Sequence, residues 1–161
     1  MARTGIFVGS FDPFTIGHAS VVSRALPLFD RIVIGVGVNE SKHCLMTAAE
    51  RTRAIEQLYS DEPRIEVRQY SGLTADFARS VGAQFVIKGV RSVRDFEYER
   101  EQADINRTMG VETILLTAEP MTASISSSMV RELAHFGRDI TPYVAAPPAQ
   151  GPQHTNNPDT L

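Results

Sequence analysis

The chain has 161 residues, 42% of them hydrophobic, which is enough apolar surface for one core and one domain. A formal net charge of -3 excludes the global basic field on which nonspecific nucleic-acid binding depends, so any anion site must be built locally and no nucleic-acid partner is expected. The single cysteine, Cys44, excludes an intramolecular disulfide, and the lack of a long apolar span or a signal-like start leads to the expectation of a cytoplasmic protein without a membrane partner.

In chain order, the first predicted strand is Gly5–Val8, followed by the turn Gly9-Ser10-Phe11-Asp12-Pro13-Phe14-Thr15-Ile16-Gly17-His18. Helical spacing then runs over His18–Leu26, where Pro27 should end or bend it. A second strand at Arg31–Val38 leads into Asn39-Glu40-Ser41-Lys42, and Thr47-Ala48-Ala49-Glu50 has the spacing of a capping box for a helix over Ala48–Ser60. Next come a strand at Ile65–Gln69 and a helix at Thr74–Val81, with Gly82 placed as a left-handed cap. The fourth strand, Phe85–Lys88, opens into Lys88-Gly89-Val90-Arg91 and a helix over Val93–Thr108. A fifth strand at Glu112–Leu116 precedes Ser124-Ile125-Ser126-Ser127-Ser128, and another helix follows Ser126.

Strands that alternate this regularly with helices imply an α/β fold: a Rossmann-like five-stranded parallel sheet with helices on both faces. Burial on both sides explains why Ile32-Val33-Ile34 and Phe85-Val86-Ile87 are continuously apolar rather than alternating. The last fifteen residues hold four of the nine prolines, so the expected folded domain is 1–145 and the expected disordered tail 146–161.

Open α/β sheets bind ligands at the carboxyl ends of their strands, and that edge collects phosphate chemistry here. Glycines in the first turn permit close approach of the backbone, and the first-turn amides of the following helix attract anions. Lys42, Lys88 and Arg91 add cations, while the serine run offers hydroxyls and amides at a second helix start. Each element alone has a plainer explanation: His18 as a cap or core contact, Lys42 as a solvated loop residue, Lys88 and Arg91 as partners of Asp95 or Glu97. Ser126 or Ser127 could cap a helix, and Tyr98 and Glu99 could lie on a solvated charged face. Their convergence on one sheet edge favours a site. The four histidines and one cysteine show no zinc spacing, so no protein metal ligand is assigned. Gly-x-Gly-x-x-Gly is absent from the first turn, which argues against a Rossmann dehydrogenase.

Taken together, Gly9-Ser10-Phe11-Asp12-Pro13, Thr15-x-Gly17-His18, Lys42, Lys88-Gly89-Val90-Arg91, Asp95-Phe96-Glu97-Tyr98-Glu99, Asn106-Arg107 and Ile125-Ser126-Ser127-Ser128 resemble the bacterial phosphopantetheine adenylyltransferases. The resemblance spans residues 5 to about 144 in order. Thr15 stands where the wider nucleotidyltransferase superfamily has the first histidine of His-x-Gly-His, which is typical of this branch. The resemblance implies reversible transfer of an adenylyl group from ATP to 4'-phosphopantetheine, giving 3'-dephospho-coenzyme A and pyrophosphate. It implies His18 and Lys42 at the reacting phosphate, and Arg91, Ser127 and Ser128 on the β- and γ-phosphates. Ser10 and Phe11 would align the substrates, Lys88 would meet the phosphopantetheine phosphate, and Leu73 and Thr74 would line its arm. Glu99, with Gly89, Val90, Tyr98, Ser124, Ile125 and Ser126, would complete the substrate contacts. Mg2+ held mainly by the ATP phosphates and a homohexamer are also implied. Two departures from the family pattern are Lys88, where many relatives have arginine, and Met121-Thr122-Ala123, where many have aromatics before the serine run.

Overall fold

In a computed structural model, which describes residues 1–147, five parallel strands form one sheet: β1 (Thr4–Gly9), β2 (Arg31–Gly37), β3 (Ile65–Tyr70), β4 (Phe85–Val90) and β5 (Glu112–Thr117). Their spatial order is β3-β2-β1-β4-β5, with Ile6 opposite both Val33 and Val86 at the centre. The helices are α1 (Ile16–Ala25), α2 (Ala48–Leu58), α3 (Thr74–Ser80), α4 (Val93–Thr108) and α5 (Ser127–His135). All five predicted strands and all five helices are present, with boundaries shifted by one or two residues. The expectation for the tail lies, from residue 148 onward, outside the described residues.

Because successive strand side chains point to opposite faces, the central strands feed two separate cores. Phe7, Ile32, Ile34, Val36 and Ile87 pack with Val21 and Val22 of α1 and Ile55 of α2. On the other face Ile6, Val8, Val33 and Val86 pack with Ala75, Phe77 and Ala78 of α3. Helices therefore cover both faces, as the unbroken apolar runs imply.

Local sequence fixes the ends of several elements. Thr47 caps α2 through a reciprocal capping box with Glu50, and Gly82 has φ +69° after α3, the left-handed conformation in which glycine avoids a Cβ clash. α1 ends at Ala25, just before Pro27, as expected of that proline. Pro27 falls in a 3-10 turn, Leu26–Leu28, where its missing N–H costs nothing. At Gly89, α1 comes so near β4 that an added Cβ would lie 2.7 Å from Val21 Cγ2. That contact brings the start of α1 and the end of β4 against the same space.

Candidate active site

The chain leaves β1 on one side of the sheet and β4 on the other, so a crevice opens at their carboxyl ends. There lies a cavity of about 340 Å³, whose polar lining comes from Ser10, His18, Lys88, Arg91, Glu99 and the serines 126–128. Phe11, Gly89 and Ile125 also line it, which unites eleven of the residues singled out in the sequence. A second, shallower hollow of about 410 Å³ lies beside it, bounded by residues 37–39 after β2 and 70–72 after β3. Gly9 and Ser10 border both, as a ridge between them.

The ridge turns sharply at Phe11, whose φ of 51° is uncommon for a residue with a large side chain. The conformation is held by packing, since the Phe11 ring is buried within about 5 Å of the rings of Phe7, Phe14 and His18. Beyond it, Thr15 caps α1 in an unusual capping box in which histidine takes the place of glutamate. The Thr15 hydroxyl accepts from the His18 backbone N–H at 3.3 Å, and His18 Nδ1 accepts from the Thr15 N–H at 2.9 Å. A ring nitrogen that accepts carries no proton, so the imidazole hydrogen sits on Nε2. Burial among aromatic rings, reinforced by the positive charge of Arg91, lowers the His18 pKa from 6.5 to about 4. At neutral pH His18 is an uncharged donor.

Across the cavity, Lys88 Nζ lies 3.6 Å from Glu99 Oε2 in a mostly shielded pair, yet that carboxylate oxygen has no hydrogen-bond partner. Arg91 is more exposed: at the cavity edge its Nε pairs with Asp95 at 3.4 Å and one terminal nitrogen donates to the Ala123 carbonyl at 3.5 Å, which leaves the other terminal nitrogen without a protein partner. The serines have distinct tasks. Ser126 is the N-cap of α5 and accepts from the Met129 N–H at 3.1 Å, whereas the Ser127 hydroxyl donates to the Pro13 carbonyl at 2.8 Å. The hydroxyl hydrogen of Ser127 is thus committed to the first turn, which leaves its backbone N–H as the group able to meet an anion.

Six residues singled out in the sequence do not line this cavity. Lys42 is exposed on the loop after β2, its N–H bonded to the Asn39 carbonyl. Leu73 and Thr74 lie at the start of α3, next to the second hollow. Val90 is buried in the sheet because its side chain takes the opposite face of β4 from Gly89. Tyr98 is 60% exposed, one helical position away from the inward-facing Glu99, and Ser124 lies on the surface before the buried Ile125.

Sequence reasoning missed the residues that hold these parts together. The carboxylate of Asp12, 2% exposed, accepts from the N–H groups of Leu45 and Met46 at 2.7 and 2.9 Å, which pins the far end of the Lys42 loop to the ridge turn. Arg51, 3% exposed, donates to the carbonyls of Ser10, Gly37 and Met46 and so ties turn, strand end and loop to α2. Thr122 adds a hydroxyl-bearing wall that no motif marked. Among the described residues no group of three His, Cys, Asp or Glu side chains is placed to hold a metal ion, and no helix is long and apolar enough to cross a membrane.

The cytidylyltransferase-like family model matches residues 6–133, from β1 into α5. A phosphopantetheine adenylyltransferase of Phocaeicola vulgatus is 54% identical over 143 residues, covering 88% of this chain and 95% of the relative. One from Bacteroides fragilis is 52% identical with the same coverage, and one from Leuconostoc citreum is 46% identical over 83% of this chain and 85% of its own length. Among solved structures, a bifunctional NMN adenylyltransferase/ADP ribose pyrophosphatase of Francisella tularensis superposes with a TM-score of 0.67 at 14% identity, over 91% of this chain and 46% of that one. The last likeness concerns the fold.

Proposed function

The chain belongs to the cytidylyltransferase-like family and, within it, to the phosphopantetheine adenylyltransferases, and from that we propose that it transfers the adenylyl group of ATP to 4'-phosphopantetheine, releasing pyrophosphate. The observation that carries this reading is the pair of cavities meeting at Gly9 and Ser10, with the neutral Nε2–H of His18 in one wall. ATP occupies the cavity lined by His18, Arg91 and the serine run, and the acceptor enters from the hollow after β2 and β3. A phosphate oxygen of the acceptor attacks the α-phosphorus across the ridge. As that P–O bond forms, the bond to the bridging oxygen of the β-phosphate breaks and pyrophosphate leaves with the electron pair.

No protein nucleophile is needed, so catalysis consists of alignment and charge stabilisation. His18 donates from Nε2 to an α-phosphate oxygen whose charge grows in the transition state. As an uncharged donor already oriented by Thr15, it needs no reorganisation at that moment. Arg91, held by Asp95 and the Ala123 carbonyl, turns a terminal nitrogen and its charge to the phosphates, and the N–H groups of Ser127 and Ser128 lie at the positive end of α5. The unpartnered Oε2 of Glu99 accepts from a nucleotide hydroxyl or amine. Gly89 lets α1 approach β4, and its backbone with Ile125 and Ser126 completes the nucleotide wall, flanked outside the cavity by Val90, Tyr98 and Ser124. Ser10 and the Phe11 amide align the two substrates. Lys88 lies within reach of the acceptor phosphate if it exchanges Glu99 for it. Leu73 and Thr74 flank the acceptor arm, and Lys42 reaches the reacting centre by movement of its loop.

Mg2+ completes the assignment. The donor set of the cavity, two cations and one paired carboxylate, suits an ion coordinated by the triphosphate and water rather than by a protein cage. When bound there, it would supply positive charge to the triphosphate beside Lys88 and Arg91. A homohexamer and a cytoplasmic location belong to the same reading, as does a folded unit over 1–145.

Pyrophosphate release with ATP, Mg2+ and a panel of acceptors tests the assignment. Turnover with 4'-phosphopantetheine exceeding that with nicotinamide mononucleotide or glycerol 3-phosphate by about 10³-fold or more is expected from a site built around one acceptor's polar groups. Equal turnover with another acceptor, or none with phosphopantetheine, refutes it.

A further inference from the structure

We infer that Arg131 is a positioning residue of the nucleotide site: it holds the Ser128 hydroxyl with its hydrogen turned out toward the phosphates. This inference rests on the reading of the cavity that holds His18 and the serine run as the ATP site. Arg131 lies one turn after Ser128 on α5, so the two side chains share a face of the helix. One guanidinium nitrogen of Arg131 donates to Ser128 Oγ at 3.1 Å, and the other donates to the Asp12 carbonyl at 2.9 Å. Arg131 itself does not line the cavity, whereas Ser128 does.

The argument is one of hydrogen-bond polarity. A serine hydroxyl has one hydrogen and two lone pairs. Arginine has only donors, so where it meets Ser128 the serine oxygen must accept, and its single hydrogen remains available. The neighbouring Ser127 shows the opposite arrangement, with its hydrogen given to the Pro13 carbonyl. Two adjacent serines on the same helix start are therefore sorted by their partners: Ser127 fastens α5 to the first turn, and Ser128 donates to the ligand. The charge on Arg131 strengthens that donation, since an oxygen that accepts from a cation becomes a better donor through its own O–H. The second bond, to the Asp12 carbonyl, fixes where the guanidinium stands. It also ties α5 to the turn that leads into α1.

The test is a double-mutant cycle on binding of Mg-ATP measured by calorimetry, which requires no acceptor and so stands apart from the question of which acceptor is used. Arg131→Met keeps the apolar stem but removes the donors, and Ser128→Ala removes the hydroxyl. Each single change is expected to weaken ATP about tenfold, as the loss of one charge-assisted contact does, and the double change no more than about twofold further. Arg131→Lys, which returns a charged donor, is expected to recover most of the loss, and the phosphopantetheine KM is expected to stay within twofold in every variant. Losses that multiply in the double variant would overturn the inference, because Arg131 would then act on the nucleotide without Ser128. A matching rise in the phosphopantetheine KM would overturn it too, as the mark of general damage to the fold.

Discussion

The two sides of the Gly9–Ser10 ridge are built differently. On the nucleotide side, side chains are committed: His18 is locked by Thr15, Ser127 by Pro13, Glu99 is set against Lys88, and Arg131 ties α5 to the turn before α1. On the other side, the hollow is bordered mainly by backbone and small residues after β2 and β3, and its assigned lysine lies on an exposed loop. That loop is fastened at its ends, by Arg51 on the Gly37 and Met46 carbonyls and by Asp12 on two amides, while Lys42 between them contacts only its own turn. A rigid half can stabilise transition-state charge without reorganising, whereas a tethered half can close around an arm of varied conformation. Under the proposed function, the contrast matches chemistry on one side and acceptor recognition on the other.

The largest effect should come from the rigid side. His18→Ala removes the donor aimed at the transferring phosphate and is expected to lower kcat roughly 10²–10³-fold, on the scale of a lost oxyanion donor, with the phosphopantetheine KM little changed. A drop of only a few-fold would place the main stabilisation elsewhere. The protonation state gives a second readout on the same residue. The ordinary histidine pKa is 6.5 and that of His18 is about 4, so as pH falls through this window the unfolded chain binds a proton that the folded one refuses. Stability should therefore decline on acidification between these values, and less so in His18→Gln, as measured by denaturant midpoints across the range.

These contrasts also explain what the sequence revealed. Strands and helices were legible because a parallel sheet buried on both faces writes itself as apolar runs, and because Thr47, Glu50 and Gly82 carry recognisable end signals. The nucleotide side was legible for a related reason: Ser10, His18, Lys88, Arg91 and the serines sit at strand ends, within a few residues of a turn. Arg51 was not legible. Its partners are three backbone carbonyls from distant segments, and a carbonyl has no sequence. The same holds for Asp12 and its two amides. His18 is a cap, as one of its plainer readings had it, but the box it closes with Thr15 is not written in the usual letters, because the third helical position normally carries glutamate or glutamine for that task.

On the tethered side, an intermediate effect is expected. Asp12→Asn preserves shape but replaces one accepting oxygen with a donor, so one of the two loop amides loses its partner. The root of the Lys42 loop should loosen. We expect the phosphopantetheine KM to rise about tenfold, on the scale of one buried hydrogen bond, while ATP affinity stays within twofold. Equal losses for both substrates would mean that the ridge turn itself depends on Asp12, and the division between the two sides would fail.

The smallest effect tests where the folded unit ends. Val144 bridges to Thr15, and the Ala145 N–H donates to the Phe14 carbonyl at 3.1 Å, so the chain returns to the turn that carries His18 before leaving it. Ala145 also packs against the core that contains Phe14. Truncation after Ala146 keeps these contacts and is expected to leave kcat/KM within twofold. Truncation after Tyr143 removes them and exposes the Phe14 carbonyl, at a cost of about 1 kcal/mol for the lost hydrogen bond, seen as a lower thermal midpoint. Since His18 is oriented by the Thr15 N–H within the same turn, the shorter chain should lose kcat rather than substrate affinity. Equal behaviour of the two truncations would show that the returning segment lies beside the catalytic turn without holding it.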